Sequence, residues 1–332
     1  MIDTIKIKKY ISQDQRNALL HAFAKKTQEG KLIYYPSENK AIINRYKNLT
    51  LNLGENNLTI SGSLTKMHYG NNLKQLTFNQ VRDLFKSLEA VLSISLDDAM
   101  IKRIDVACNI PLNTKASSYL STLATPKGYK LCHYENETKY FENGNNTYCV
   151  YDKGRELKAK TGQNLGEKNL LRYELRFIKN LATQFSWKNS TLSNLYDAEN
   201  YIKMIACFWS SFCKIPFGQN YSDLPFDLTS VKNLKKKLMV DGIKYNGGTN
   251  KLLSEIKSVQ VKRETRYWIR KMIDSLPVTG ANNKDLINEL GTKISAVCQK
   301  EVYAAIHYSY DSPLNSDDSI DYELPEDDDA RN

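Results

Sequence analysis

Arg103-Ile104-Asp105-Val106-Ala107-Cys108-Asn109-Ile110 reads as a β-strand that carries charge in an unusual place. Side chains alternate across a strand, so Ile104, Val106, Cys108 and Ile110 share one face, and Arg103, Asp105, Ala107 and Asn109 share the other. Leu171-Arg172-Tyr173-Glu174-Leu175-Arg176-Phe177 repeats the design: Leu171, Tyr173, Leu175 and Phe177 face inward, while Arg172, Glu174 and Arg176 lie opposite. A carboxylate framed by two arginines can hold a cation and also present guanidinium groups to phosphate.

Around these two runs, strand and helix signals succeed one another. Residues 2 to 9 alternate as a strand does, and Ser12 with Gln15 forms a capping box before a helix bearing Leu19, Leu20 and Phe23. The runs Ala41 to Leu53 and Leu58 to Leu64 flank Gly54-Glu55-Asn56-Asn57 and predict a hairpin. Thr77 with Gln80 caps a second helix, whose Val81, Leu84, Phe85, Leu88 and Leu92 recur on one face. Strands return at Ile101 to Ile110, Thr138 to Phe141, Thr147 to Tyr151 and Leu171 to Ile178. Consecutive strands with short turns favour an α+β fold, an antiparallel sheet with helices packed on one face, over a doubly wound sheet. After about residue 195 the pattern becomes mostly helical and basic, with Lys232, Lys235, Lys236 and Lys237, then Lys262, Arg263, Arg266, Arg270 and Lys271. Pro216, Gly218 and Pro225 mark a boundary near residue 220. The expected organisation is a first domain over 1–220, a smaller, mostly helical basic region over 221–310 and an acidic disordered tail over 311–332.

Charge points to a partner. The 332-residue chain carries a net +10, yet residues 311–332 hold nine acidic side chains against Arg331 alone. Residues 1–310 are left with 46 basic and 28 acidic side chains, a balance of +18. A basic body suits a polyanion, nucleic acid first, with the tail as intramolecular competitor or solubiliser. Apolar runs such as Ile205 to Trp209 fall far short of the roughly 20 residues of a membrane span, and Met1-Ile2-Asp3 begins no apolar leader, so an intracellular protein without a membrane partner is expected. The six cysteines and four histidines share no ligand spacing, which argues against a zinc module or a disulfide scaffold.

A third segment bears on chemistry: Thr147-Tyr148-Cys149-Val150-Tyr151-Asp152-Lys153-Gly154-Arg155-Glu156. Tyr151 and Lys153 share a side if the strand persists, and Gly154 permits a turn into a helix that starts with Arg155 and Glu156. Tyrosine is a poor nucleophile at its ordinary pKa of ~10, but a nearby cation stabilises the phenolate and a divalent metal polarises a phosphate. A tyrosine, a lysine and separated carboxylates could together serve a metal-assisted phosphodiester transesterase.

The succession Arg103-Ile104-Asp105, then Tyr151-Asp152-Lys153 with Glu156, then Arg172-Tyr173-Glu174-Leu175-Arg176 resembles the Arg-Ile-Asp, Tyr-x-Lys and Arg-x-Glu-x-Arg series of the filamentous-phage gene II/X replication proteins. The initiators of rolling-circle plasmids are similar. The start Met1-Ile2-Asp3 and the stretch Thr59-Ile60-Ser61-Gly62-Ser63-Leu64 agree with the phage family, and the likeness covers roughly residues 1 to 180 in blocks. It implies an origin-specific nickase and ligase that joins itself to a 5′ phosphate through tyrosine and leaves a 3′ hydroxyl for the host polymerase. By motif position it implies Tyr151 as nucleophile, Lys153 as supporting cation, and Asp105, Glu156 and Glu174 as ligands of Mg2+ or Mn2+, with Asp152 an alternative to Glu156. Tyr173 competes as nucleophile, although its parity puts it on the apolar face, and Tyr148 is a candidate second tyrosine. His21, His68, His133 and His307 are isolated, a departure from the His-hydrophobic-His motif of many rolling-circle enzymes that points to oxygen ligands. Arg103, Arg155, Arg172 and Arg176 are expected to touch DNA, as are Lys235, Lys236 and Lys237, the last three through duplex contacts. Host helicase and polymerase are implied partners, a homodimer is left open, and the bacterial cytoplasm is the implied location. The same chemistry would serve a mobilisation relaxase, and a non-catalytic regulator of replication is the reading from another class.

Overall fold

Both capping boxes form as the sequence predicts. A computed structural model describes residues 1–29, 33–35, 42–135, 138–162, 169–217 and 283–308. Ser12 accepts from the Gln15 amide at the start of α1 (Gln13–Gln28), and Thr77 accepts from the Gln80 amide at the start of α3 (Phe78–Leu92). In each, the glutamine side chain closes the box onto the cap amide, so two otherwise orphaned donors are satisfied. Phe78, Val81, Leu84, Phe85, Leu88 and Leu92 form the buried stripe of α3.

The described chain is α+β and groups into two compact units. The first comprises Met1–Ala107, Asn180–Met204 and the described part of Lys300–Asn332; the second comprises Cys108–Lys179 and the described part of Ile205–Gln299. Strand β6 (Met100–Leu112) belongs to both.

In the first unit the remaining strands are β1 (Ile2–Tyr10), β2 (Ile33–Tyr35), β3 (Ile42–Tyr46), β4 (Leu49–Leu53) and β5 (Asn57–Ser63). Their order is β2-β3-β4-β5-β1-β6, antiparallel at every step. The expected single strand from Ala41 to Leu53 is itself a hairpin, because Lys47 turns the chain with φ 51° and pairs Tyr46 with Leu49. The second expected strand ends at Ser63, whose hydroxyl caps the short α2 (Leu64–Tyr69). Gly62 shows why that stretch needs a glycine: φ is +153°, and a Cβ there would lie 2.6 Å from the Asn48 carbonyl oxygen. One sheet face buries Ile5, Ile7, Leu49, Leu51, Leu58, Ile60, Ile101 and Ile104. α2 packs on β1 and α3, and α3 on α1.

In the second unit the order is β6-β10-β9-β8-β7, with β7 (Lys130–Glu135), β8 (Thr138–Glu142), β9 (Asn146–Asp152) and β10 (Asn169–Phe177). β7 and α4 (Ala116–Thr122) are additions to the sequence reading. α4 and α5 (Lys153–Thr161) pack on β9 and β10. After α6 (Leu181–Phe185) and a 3₁₀ turn at Leu192–Leu195, α7 (Ala198–Cys213) brings Phe208 and Phe212 against Tyr173, at ring distances of 4.8 and 5.5 Å. Of residues 221–310, those at 283–308 are described, as α8 (Asn283–Tyr308), where Lys293 donates to the Pro111 carbonyl. Lys235, Lys236, Lys237 and the acidic tail lie outside the described residues. Cys108, Cys149 and Cys298 are buried thiols. Among the described residues no helix is long and apolar enough to cross a membrane.

Candidate active site

Antiparallel pairing of β9 with β10 sets Tyr151 opposite Arg172, Cys149 opposite Glu174 and Thr147 opposite Arg176. Tyr151 is half-buried. Lys153 reaches it by a different route from the one expected: the strand stops at Asp152, which accepts from the Arg155 amide and caps α5, so Lys153 opens a helix. Its ammonium lies over the Tyr151 ring, 5.9 Å from the centroid. Gly154 is a helical residue without positive φ, so Asp152 rather than glycine makes the turn.

Lys153 is almost fully buried and bonds Glu156, which Lys160 holds from its other oxygen. Burial pushes the Lys153 pKa down, and the Glu156 carboxylate only partly offsets this. For Glu156, burial pushes upward, but Lys153 and Lys160 together hold the carboxyl below its usual range. Arg103 grips Asp105 with two parallel bonds of 2.7 and 2.5 Å, a fork that leaves the carboxylate 2% exposed.

On β10, Glu174 accepts from Arg176 Nε at 2.7 Å and from Arg172 Nε at 3.3 Å. Arg172 also donates to Asn109 Oδ1 at 3.1 Å. Arg172, Glu174 and Asn109 are buried, so charges expected on one polar face sit inside the protein and depend on each other. Asn109 shares its strand face with Asp105, four residues earlier on β6.

The structure therefore brings together Tyr151, Lys153, Glu156, Arg172, Glu174 and Arg176 in the second unit, and Arg103 with Asp105 in the first. Arg155 is exposed at the start of α5. Tyr173 is buried among aromatic rings, and burial drives its pKa far above the ordinary value. Tyr148 is equally enclosed, its hydroxyl donating to the Ser211 carbonyl, and its pKa is also raised, chiefly by burial. Neither presents a hydroxyl to solvent.

Three partners escaped the sequence reading. Asn109 is visible in the sequence only as one of four positions on its strand face. Lys160 lies one helical turn beyond Glu156, a spacing that could have found it. Tyr140, opposite Cys149, carries the Arg176 guanidinium over its ring at 5.6 Å, a relation that only the register reveals.

The carboxylates have the oxygen chemistry that magnesium or manganese prefers. Each, however, faces cations of the protein itself, and among the described residues no three carboxylate, histidine or cysteine side chains converge as a ligand set.

The family described as the N-terminal part of the replication-associated gene II protein of phages matches residues 1–203. The chain belongs to this family. It is a replication initiator of the filamentous-phage gene II type, and all three motif blocks and every residue of the clusters above except those on α7 and α8 lie inside the match. No curated protein matches the chain.

Proposed function

We propose that the chain nicks one DNA strand at its replication origin and later rejoins it. The Tyr151 oxygen attacks the scissile phosphorus, the P–O3′ bond breaks, and a 5′ phosphotyrosine and a free 3′ hydroxyl result. The phenol proton is lost and the departing O3′ gains one, so the exchange is balanced and reversible. The observation that carries this reading is the half-buried Tyr151, facing Arg172 across the strands with the Lys153 ammonium over its ring, in a chain of this family. A cation beside a phenol favours the phenolate, and guanidinium groups suit the charge that develops on phosphate.

Arg155 and Arg176 meet backbone phosphates in this reading, and Arg103 does so in the first unit; Arg172, expected among them, is buried and holds Glu174 and Asn109 instead. Lys235, Lys236 and Lys237 serve duplex recognition, and helicase and polymerase of the bacterial host follow on the released 3′ end. Magnesium or manganese dependence is proposed from the resemblance alone, and nicking that persists in EDTA removes it. The test is incubation of the protein with supercoiled DNA carrying its own origin. Wild type gives an open circle with a protease-sensitive 5′ adduct, and Tyr151→Phe loses both by on the order of 10³-fold or more. Cleavage that survives in Tyr151→Phe moves the nucleophile to another tyrosine. Origin binding without any cleavage leaves a non-catalytic regulator.

A further inference from the structure

Opposite the buried face of the first unit's sheet lies a polar one. Cross-strand registers align Arg45 with Thr50, Thr50 with Ser61, Ser61 with Lys6, and Lys6 with Arg103. These five residues form one row perpendicular to β3, β4, β5, β1 and β6, all on the face opposite the apolar core. Four strand spacings make the row about 19 Å long. Arg45 and Lys6 are exposed, and Thr50, Ser61 and Arg103 are partly so. In the next row along β1, Lys8 pairs with Thr59, and its ammonium lies over the ring of Tyr10 at 5.0 Å. Tyr10 is 59% exposed, the most exposed large hydrophobic side chain among the described residues.

We infer that this open face is a track for single-stranded DNA, resting on the proposed function for where such a strand arises. The face is cationic, with hydroxyls between the cations, as a phosphate backbone requires, and Asp105 at its β6 edge is already neutralised by Arg103. Duplex DNA takes a helix or a two-stranded ribbon into its major groove, whereas a broad sheet of at least five strands is too wide to enter. A single strand can lie flat on it, its phosphates along the row and an unpaired base on Tyr10. Stacking on one aromatic ring beside a row of cations is the usual recipe for binding a single strand without reading its sequence. The track holds the displaced or newly nicked strand.

The full chain carrying Tyr151→Phe provides a background in which binding is measured apart from cleavage. Fluorescence anisotropy with an oligothymidylate strand across a salt series is compared for that protein with and without Lys6→Gln and Lys8→Gln. Each single-strand phosphate contact contributes about 0.7 to the slope of log affinity against log salt. The double variant is expected to lose about 1.4 of that slope and at least tenfold in affinity at low salt, with duplex binding little changed. Lys6→Arg with Lys8→Arg restores both, which separates charge from misfolding. Tyr10→Leu is expected to weaken single-strand binding about tenfold with the salt slope intact. An unchanged slope in the glutamine variant overturns the track, and so does an equal loss on duplex DNA. Single-strand binding in this background, with no origin adduct formed by the protein that keeps Tyr151, keeps the track and loses the nicking reading.

Discussion

The open face of the first unit and the charged face of the second are both polar sides of antiparallel sheet, yet they treat charge in opposite ways. On β1, Lys6 stands in water beside hydroxyls. On β10, Arg172 and Glu174 are 2% and 5% exposed and spend their hydrogen bonds on each other, on Arg176 and on Asn109. Burying a charge costs several kcal/mol unless a partner replaces the lost hydration, so the second face holds only as an assembled network. A fixed network suits a reaction, because its dipoles need not reorganise when charge develops on phosphate. Solvated cations suit a grip, because counterion release tolerates many positions of the chain.

The sharpest break of that contrast is Arg172→Ala. It leaves Glu174 buried with one cation fewer and Asn109 without that donor, and removal of one member of a buried pair typically costs about 3–5 kcal/mol. Urea unfolding should show that loss as a lower midpoint with an unchanged slope. Arg172→Lys keeps the charge but not the planar fork, and is expected to recover only part of it. A loss under about 1 kcal/mol would mean that the face is solvated after all and that the two regions do not differ as described.

Burial of a single lysine gives the next largest effect. Lys139 on β8 is 6% exposed and donates to the Leu123 carbonyl at 2.6 Å, and burial pushes its pKa down to about 7. Its unfolded value is near 10.4, so between about pH 7 and pH 10 the unfolded chain holds a proton that the folded chain does not. Stability contributed by this group therefore rises with pH through that window and is constant below it. Wild type should gain about 2 kcal/mol over Lys139→Met between pH 7 and pH 9, read from urea midpoints of both. Comparing the two proteins cancels groups such as Cys108, whose burial raises its own titration. A parallel pair of pH profiles would mean that Lys139 stays charged in the fold.

What could be read in advance divides along the same line. Ser12 with Gln15 and Thr77 with Gln80 are local signals, and the helices start where those residues stand. The alternation on β6 and β10 assigned faces correctly, Tyr173 included. Burial of the polar face was not legible, because it depends on which strands end up inside the order, a non-local fact. The turn at Lys47 carried no glycine or proline signal, and the backbone there adopts positive φ in a lysine. Lys153 reached Tyr151 for a reason that strand parity could not supply: Asp152 ends the strand and caps a helix. Tyr140 and Asn109 entered the cluster through register alone.

The finest cut is the stability of the Lys6→Gln, Lys8→Gln double variant. Lys6 is exposed and Lys8 only partly covered, and glutamine keeps the first two methylenes of the lysine stem. Loss of a solvated charge usually changes stability by less than about 0.5 kcal/mol, and the Lys8 contact with Tyr10 adds no more than about 1 kcal/mol at an exposed site. Urea midpoints within that range of wild type, beside a large fall in affinity for a single strand, would place the two lysines on a surface kept for binding. A loss of about 2 kcal/mol or more would show instead that the first face is knit together like the second, and the distinction between a grip and a reactive network would have to be drawn elsewhere.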